Sequence, residues 1–275
     1  MTSEQAYYNT GYKKSISDTH AIRTVENSVE YITNVLQPDF KVLDVGCGPG
    51  SITIDIAKNY LSQGGSVIGI EPTPEVIDTA NNLKQSIAAD VDNVSFQIGS
   101  IYKLPFDDNT FDLVHAHQVV VHLEDPVKAL KELARVTKPG KYVTVKDGDL
   151  DSILIYPPKY DVLKEYQSKG ALNRGSTDLK AGRKLLSRAI EAGYKPSNIT
   201  TTTSTLSFAG QKETKKTWGD LLIKRVETGG EVFVVDDEKK NEEAKQEVIK
   251  VLQEWRDDET SVWSAINFEI TYKKA

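Results

Sequence analysis

A chain of 275 residues with 39% hydrophobic and 27% charged side chains has the make-up of a globular protein, long enough for one α/β domain with additions. Its net charge of −6 argues against a general nucleic-acid binder, which presents a basic face, and no apolar run approaches the roughly 20 residues that cross a bilayer. One cysteine excludes an internal disulfide and a cysteine zinc site, and the start of the chain, with Glu4 and several tyrosines, does not resemble a signal or transit peptide, so the cytosol (a cytoplasmic protein) is expected.

Residues 1–17 are polar and tyrosine-rich (Tyr7, Tyr8, Tyr12) and show no period. From Asp18, the spacing of Ile22, Val25, Val29, Ile32 and Leu36 predicts one helix, ended by Pro38. Val42 to Val45 reads as a buried strand that runs straight into glycines, and a helix follows through Ile52, Ile56, Ala57, Tyr60 and Leu61. Gly64-Gly65 breaks the chain before a second strand at 66–71. Thr73-Pro74-Glu75 opens a helix with Val76, Ala80, Leu83 and Ile87 on its buried stripe. Strands at 94–99, 111–119 and 141–147 come next, with a helix from Asp125-Pro126 to Pro139-Gly140 between the last two. A helix with Leu185, Leu186, Ala189 and Ile190 stops at Gly193, and strands at 198–208 and 262–272 close the chain. Strands alternating with helices at these intervals predict an α/β fold with a doubly wound, mostly parallel sheet.

In such a sheet the strand-to-helix turn binds nucleotides, and here that turn is Gly46-Cys47-Gly48-Pro49-Gly50. A dinucleotide fingerprint needs a third glycine where Ser51 stands. The spacing is G-x-G-x-G with Asp44 just upstream, and a carboxylate there repels a pyrophosphate and suits a ligand carrying positive charge. S-adenosylmethionine, with an ammonium, a sulfonium and no phosphate, fits. Glu71 ends the second strand about 20 residues past the loop, where an acid that grips a ribose diol belongs.

The ordered segments VLDVGCGPG, GIE, GSIYKLPFDDNTFDLV and VVVHLEDPVKALKELARVTKPGKYV together resemble the class I S-adenosylmethionine-dependent methyltransferases, and look closest to the ubiquinone and menaquinone biosynthesis branch. The likeness runs from about residue 20 to 150 and is specific for cofactor and fold, not for substrate. It implies a seven-stranded, Rossmann-like sheet whose last strand runs antiparallel beside the fifth. It also implies that Gly46, Gly48 and Gly50 pass beneath the methionine part of the cofactor. Glu71 would hold the ribose, Pro72 would pack on the adenine, Ser100 and Ile101 would flank it, and His117 would lie beside the sulfonium. Ser100 departs from the family, which commonly carries Asp there; the lost charge implies weaker cofactor binding, so Ser100→Asp is expected to tighten it. His20, Arg23 and Thr24 resemble related enzymes in which an arginine meets the methionine carboxylate, which points to Arg23.

The topology sends three segments to the ligand edge of the sheet, and residues 1–36, 148–180 and 209–260 are expected to cap it within a single domain spanning 1–275. Two helices are expected in the last of these, one with Trp218, Leu221 and Leu222, the other with Ala244, Val248, Val251 and Trp255. Candidate bases on the floor of such a chamber are His117, His122 and Asp147, with His20 above. Neither His115-Ala116-His117 with His122 nor Asp147 with Asp149 reads as a metal shell. The expected activity is methyl transfer to a small, neutral or aromatic metabolite, with no nucleic-acid partner and no membrane span; the oligomeric state stays open. The rival readings are a nicotinamide-dependent oxidoreductase and a non-catalytic binding protein on the same fold.

Overall fold

The structure is a computed structural model and describes residues 13–173, 175–209 and 212–275. Residues 1–12, part of the expected cap, lie outside the described residues. The single helix expected from residue 18 is instead three pieces: Lys14–Ala21 (α1), Val25–Ser28 (α2) and a 3-10 turn at Glu30–Asn34. Thr24 makes the break. Its hydroxyl accepts from the Asn27 N–H while the Asn27 side chain accepts from the Thr24 N–H, a reciprocal cap that starts a new helix. Val25, Val29, Ile32 and Leu36 are buried as their spacing requires, whereas Ile22, on the far side of the break, is exposed.

Strands and helices then alternate as Lys41–Val45 (β1), Ser51–Tyr60 (α3), Ser66–Glu71 (β2), Pro74–Ile87 (α4), Val94–Ile98 (β3), Phe111–His117 (β4), Pro126–Val136 (α5) and Thr137–Gly148 (β5). Helix α5 stops short of Pro139-Gly140. The Thr137 hydroxyl donates to the Leu133 carbonyl at 2.8 Å, the chain is already extended at Thr137, and Pro139 has no N–H to continue a helix. The remaining elements are Leu154–Tyr156 (β6), Val162–Asn173 (α6), Leu185–Glu191 (α7), Ile199–Phe208 (β7), Lys212–Thr228 (α8), Glu238–Asp257 (α9) and Val262–Lys273 (β8).

The sheet runs β3-β2-β1-β4-β5-β8, the first five strands parallel, with β7 antiparallel on the outer edge of β8. The expectation of a last strand inserted antiparallel beside the fifth therefore holds, from Tyr142↔Lys273 to Gly148↔Asn267. The sheet has eight strands, however, not seven. Strand β8 is long enough to run past the end of β5, and β6 pairs with the overhang from Leu154↔Ser264 to Tyr156↔Val262. Three residues are too few to show a period, which is why β6 does not stand out in the sequence.

One face of the sheet packs Leu43, Val114, Val143 and Ile270 against Leu130 and Leu133 of α5 and Leu185 and Ala189 of α7. The other packs Val42, Val67 and Leu113 under Val25, Ile52 and Ile56 of α2 and α3. A further apolar core belongs to the cap: Leu163 and Tyr166 of α6, Leu222 and Val226 of α8, Val248, Leu252 and Trp255 of α9, and Trp263 of β8. Both helices expected between residues 209 and 260 are present, and Lys224 of α8 pairs with Asp18 at 2.8 Å, holding α1 against the cap. Among the described residues no helix is long and apolar enough to cross a membrane.

Candidate active site

The turn after β1 is built on backbone that side chains resist. Gly46 has φ +73°, and a Cβ there would lie 2.4 Å from Val119 Cγ2, so this glycine lets the post-β4 segment close onto the loop. Gly48 has φ +53°, and a Cβ on it would meet nothing within 4 Å, because it borders a cavity. The Gly46 and Cys47 N–H groups both donate to the Ile70 carbonyl, at 2.7 and 3.0 Å, which ties the loop to the end of β2 and so to Glu71.

That cavity, of about 240 Å³, lies along the carboxyl ends of β1, β2, β4 and β5. At one end stand Asp44, Gly46, Gly48, Glu71, Pro72 and Ile101, with His20 and Arg23 reaching in from the break between α1 and α2. His117, His122 and Asp147 lie further along it. Two expected residues do not form its wall. The Ser100 hydroxyl accepts from the Tyr102 N–H at 3.2 Å, inside its own turn, and Gly50 packs its backbone against Phe96. His115 is also outside it, fully buried with Nδ1 3.0 Å from Thr144 Oγ1 and held down to about 3 by burial.

Burial sets the electrostatics. Asp44 is pushed up to about 6 by burial, offset in part by the Thr53 hydroxyl, which donates to it at 2.6 Å. Glu71 is pushed up to about 7 by burial, against opposing hydrogen bonds from Gly48 and Thr73. Asp147 is raised to about 7 for the same reason, although its two oxygens accept from the Val121 and Gly148 N–H groups at 3.0 and 2.9 Å. His117 is driven the other way, well below the usual histidine range, by burial and then by the Arg23 charge. Its neighbour in register on β5, Lys146, forms a buried pair with Glu269 at 3.1 Å, and Glu269 also accepts from Thr202 and Ser204, each at 2.6 Å. His122 Nδ1 lies 3.3 Å from Ser176 Oγ.

The far end of the cavity is lined by Trp218 and Arg225 of α8 and Gln167 and Ala171 of α6 from the cap, and by Leu206 of β7 and Trp263, Ala265 and Asn267 of β8 from the sheet. Sequence reasoning missed Gln118 and Asn267, which both line it. Gln118 was expected inside a strand reaching residue 119, but its φ of +58° ends β4. The one signal for Asn267 is an amide between the apolar Ile266 and Phe268 of its strand.

Two buried carboxylates, one glycine open to the cavity and an arginine at the rim suit a ligand with hydroxyl donors, positive charge and a carboxylate, and S-adenosylmethionine carries all three. Residues 36–194 match the family described as a methyltransferase domain. The chain is 42% identical over 276 residues to an uncharacterized methyltransferase of Schizosaccharomyces pombe, covering 99% of this chain and 98% of that one. Its fold is similar to that of a putative methyltransferase of Bacillus halodurans, with TM-score 0.56, 18% identity, and 87% of this chain and 95% of that one covered. It is also similar to a Haemonchus contortus phosphoethanolamine N-methyltransferase in complex with S-adenosylmethionine, with TM-score 0.54, 17% identity, and 96% of this chain and 53% of that one covered. S-adenosylmethionine is the cofactor, and the chain belongs to the class I S-adenosylmethionine-dependent methyltransferases.

Proposed function

We propose that the protein methylates a small, neutral or aromatic metabolite. The observation that carries this reading is the continuity of one cavity, from the acid-lined glycine loop to a chamber walled by Trp218, Trp263, Leu206 and Ile153. Apolar walls keep water from the nucleophile and disfavour a charged acceptor. The motif set supports a kinship with the ubiquinone and menaquinone biosynthesis branch, and a single, buried Cys47 is in keeping with a cytoplasmic protein.

In this reading Glu71 holds the ribose hydroxyls, Gly46 and Gly48 lie beneath the methionine part, Arg23 meets its carboxylate, and Pro72 and Ile101 flank the adenine. When bound, the cofactor would supply an electrophilic methyl group, carried on a sulfonium whose neutral thioether is the leaving group. The protein's task is alignment and exclusion of water. His117 stays neutral, so it adds no repulsion beside a cation but is a poor base. Asp147, raised to about 7 by burial, is the group best matched to take a proton from an acceptor that must lose one. His122, steadied by Ser176, stands behind it as a second base, and His20 closes the opposite wall.

Incubating the protein with methyl-labelled S-adenosylmethionine and a cell extract, then separating small molecules from macromolecules by ultrafiltration, tests the reading. Label is expected in the small-molecule filtrate; label retained with protein or nucleic acid would refute it.

Cofactor affinity is also expected to depend on pH. Glu71 must be ionised to accept both ribose hydroxyls at full strength, and its folded value near 7 lies above the ordinary 4.5. Between those values the folded protein binds more protons than the unfolded chain, so the cofactor-free protein loses stability as pH rises through that window. Cofactor binding runs the opposite way. Calorimetry should show affinity about tenfold weaker at pH 6 than at pH 8, since one pH unit below its midpoint a group is about one-tenth ionised. An affinity flat over that range would mean that Glu71 does not engage the cofactor as an anion.

A further inference from the structure

We propose that Gln118 and Asn267 form the acceptor-recognition element of this enzyme and select a neutral hydroxyl group. The inference rests on the methyltransferase reading and deepens it. Gln118 Nε2 donates to Asn267 Oδ1 at 3.1 Å, and both residues line the cavity between the cofactor end and the cap. Gln118 directly follows β4 and Asn267 lies on β8, strands that do not touch each other, and the two residues meet across the end of β5 between them.

The backbone sets the pair beside the cavity. Gln118 sits in the left-handed region at φ +58°, fixed by its N–H donating to the Lys146 carbonyl at 2.8 Å. A residue other than glycine is uncommon there, and such residues concentrate at ligand sites. Beneath the pair lies Gly148, where a Cβ would come within 3.4 Å of both Asn267 Oδ1 and Gln118 Nε2. Asn267 itself is 8% exposed, so its amide is anchored rather than free in solvent.

The bond between the amides uses one donor and one acceptor. Gln118 Oε1 remains to accept and Asn267 Nδ2 remains to donate, and neither makes a hydrogen bond with any described residue. A hydroxyl group donates and accepts at once, so it satisfies both. An ether or ketone satisfies only the donor, and a carboxylate offers no proton to Gln118 Oε1. Asp147, which lines the same stretch, adds repulsion against an anion when ionised, whereas Asp149 is held in an ion pair with Arg183. The apolar body of the acceptor then lies against Trp218, Trp263 and Leu206.

The test uses the full chain loaded with S-adenosylhomocysteine, whose binding is measured first by calorimetry and reports on the underlying methyltransferase reading alone. The probes are 4-fluorophenol, fluorobenzene and 4-fluorobenzoate, followed by fluorine NMR. The loaded protein is expected to bind 4-fluorophenol at least tenfold more tightly than either of the others. Asn267→Leu should reduce that preference at least fivefold while leaving fluorobenzene and S-adenosylhomocysteine binding unchanged. Gln118→Asn, which tolerates the left-handed backbone but shortens the reach, should do the same and guards against a folding defect in the first variant. Equal binding of the three probes, binding of none, or a phenol preference retained in both variants would overturn the proposal.

Discussion

Glu71→Ala is expected to weaken S-adenosylmethionine binding at least tenfold in a calorimetric titration at pH 7.5. The variant loses charge-assisted hydrogen bonds worth roughly 1.5–3 kcal/mol each, and about 1.4 kcal/mol is already a factor of ten. Glu71 lies at the cavity wall, 6% exposed, at the end of β2 and tied through Ile70 to the glycine loop. Glu71→Gln separates charge from shape. It keeps the volume and removes an ionised group that the fold buries at a cost, so the cofactor-free Gln variant should melt no lower than the parent at pH 7.5. Unchanged affinity in Glu71→Ala would remove Glu71 from the cofactor site.

Trp255→Ala should uncouple the cap from the sheet. The Trp255 side chain is fully buried in the cap core, packs edge-to-face on Trp263 at 5.4 Å, and is covered by Lys215 Nζ, 5.3 Å from the ring centroid. Loss of a buried tryptophan costs about 3–5 kcal/mol. Because the cap core is distinct from the two cores that hold the sheet, that cost should fall on α6, α8 and α9. Hydrogen exchange is expected to quicken in those helices while β1, β4 and α3 stay protected. Turnover should collapse, since Trp263 and Trp218 wall the acceptor end of the cavity. Trp255→Phe should restore most of the activity. Uniform loss of protection across sheet and cap would show that the two are one cooperative unit.

What could be read beforehand followed the strength of the local signal. The glycine loop, Glu71 and the helix that opens at Pro74 carry their own chemistry, and they stand where the sequence puts them. The insertion of β8 beside β5 was legible from the order of elements. The α1–α2 break was not: the apolar spacing from Ile22 to Leu36 is continuous, and only the Thr24–Asn27 cap interrupts it. That break is what brings His20 and Arg23 to the cavity. Ser100 shows the opposite case, since its position in the motif suggests a ligand contact while its hydroxyl accepts a hydrogen bond inside its own turn. The Gln118–Asn267 pair is separated by 149 positions and exists only once β5 aligns β4 with β8. No spacing rule reaches that far.

The central claim is that an acid-lined cofactor end opens into a chamber for a neutral acceptor. The most direct measurement separates a metabolite extract by ion exchange into neutral, anionic and cationic pools. Each pool is incubated with the protein and carbon-13 methyl S-adenosylmethionine, and labelled products are detected by mass spectrometry. The account predicts a labelled product in the neutral pool, formed together with S-adenosylhomocysteine, absent with Glu71→Ala at limiting cofactor. Label transferred only in the anionic or cationic pool, or no transfer in any pool, would contradict it.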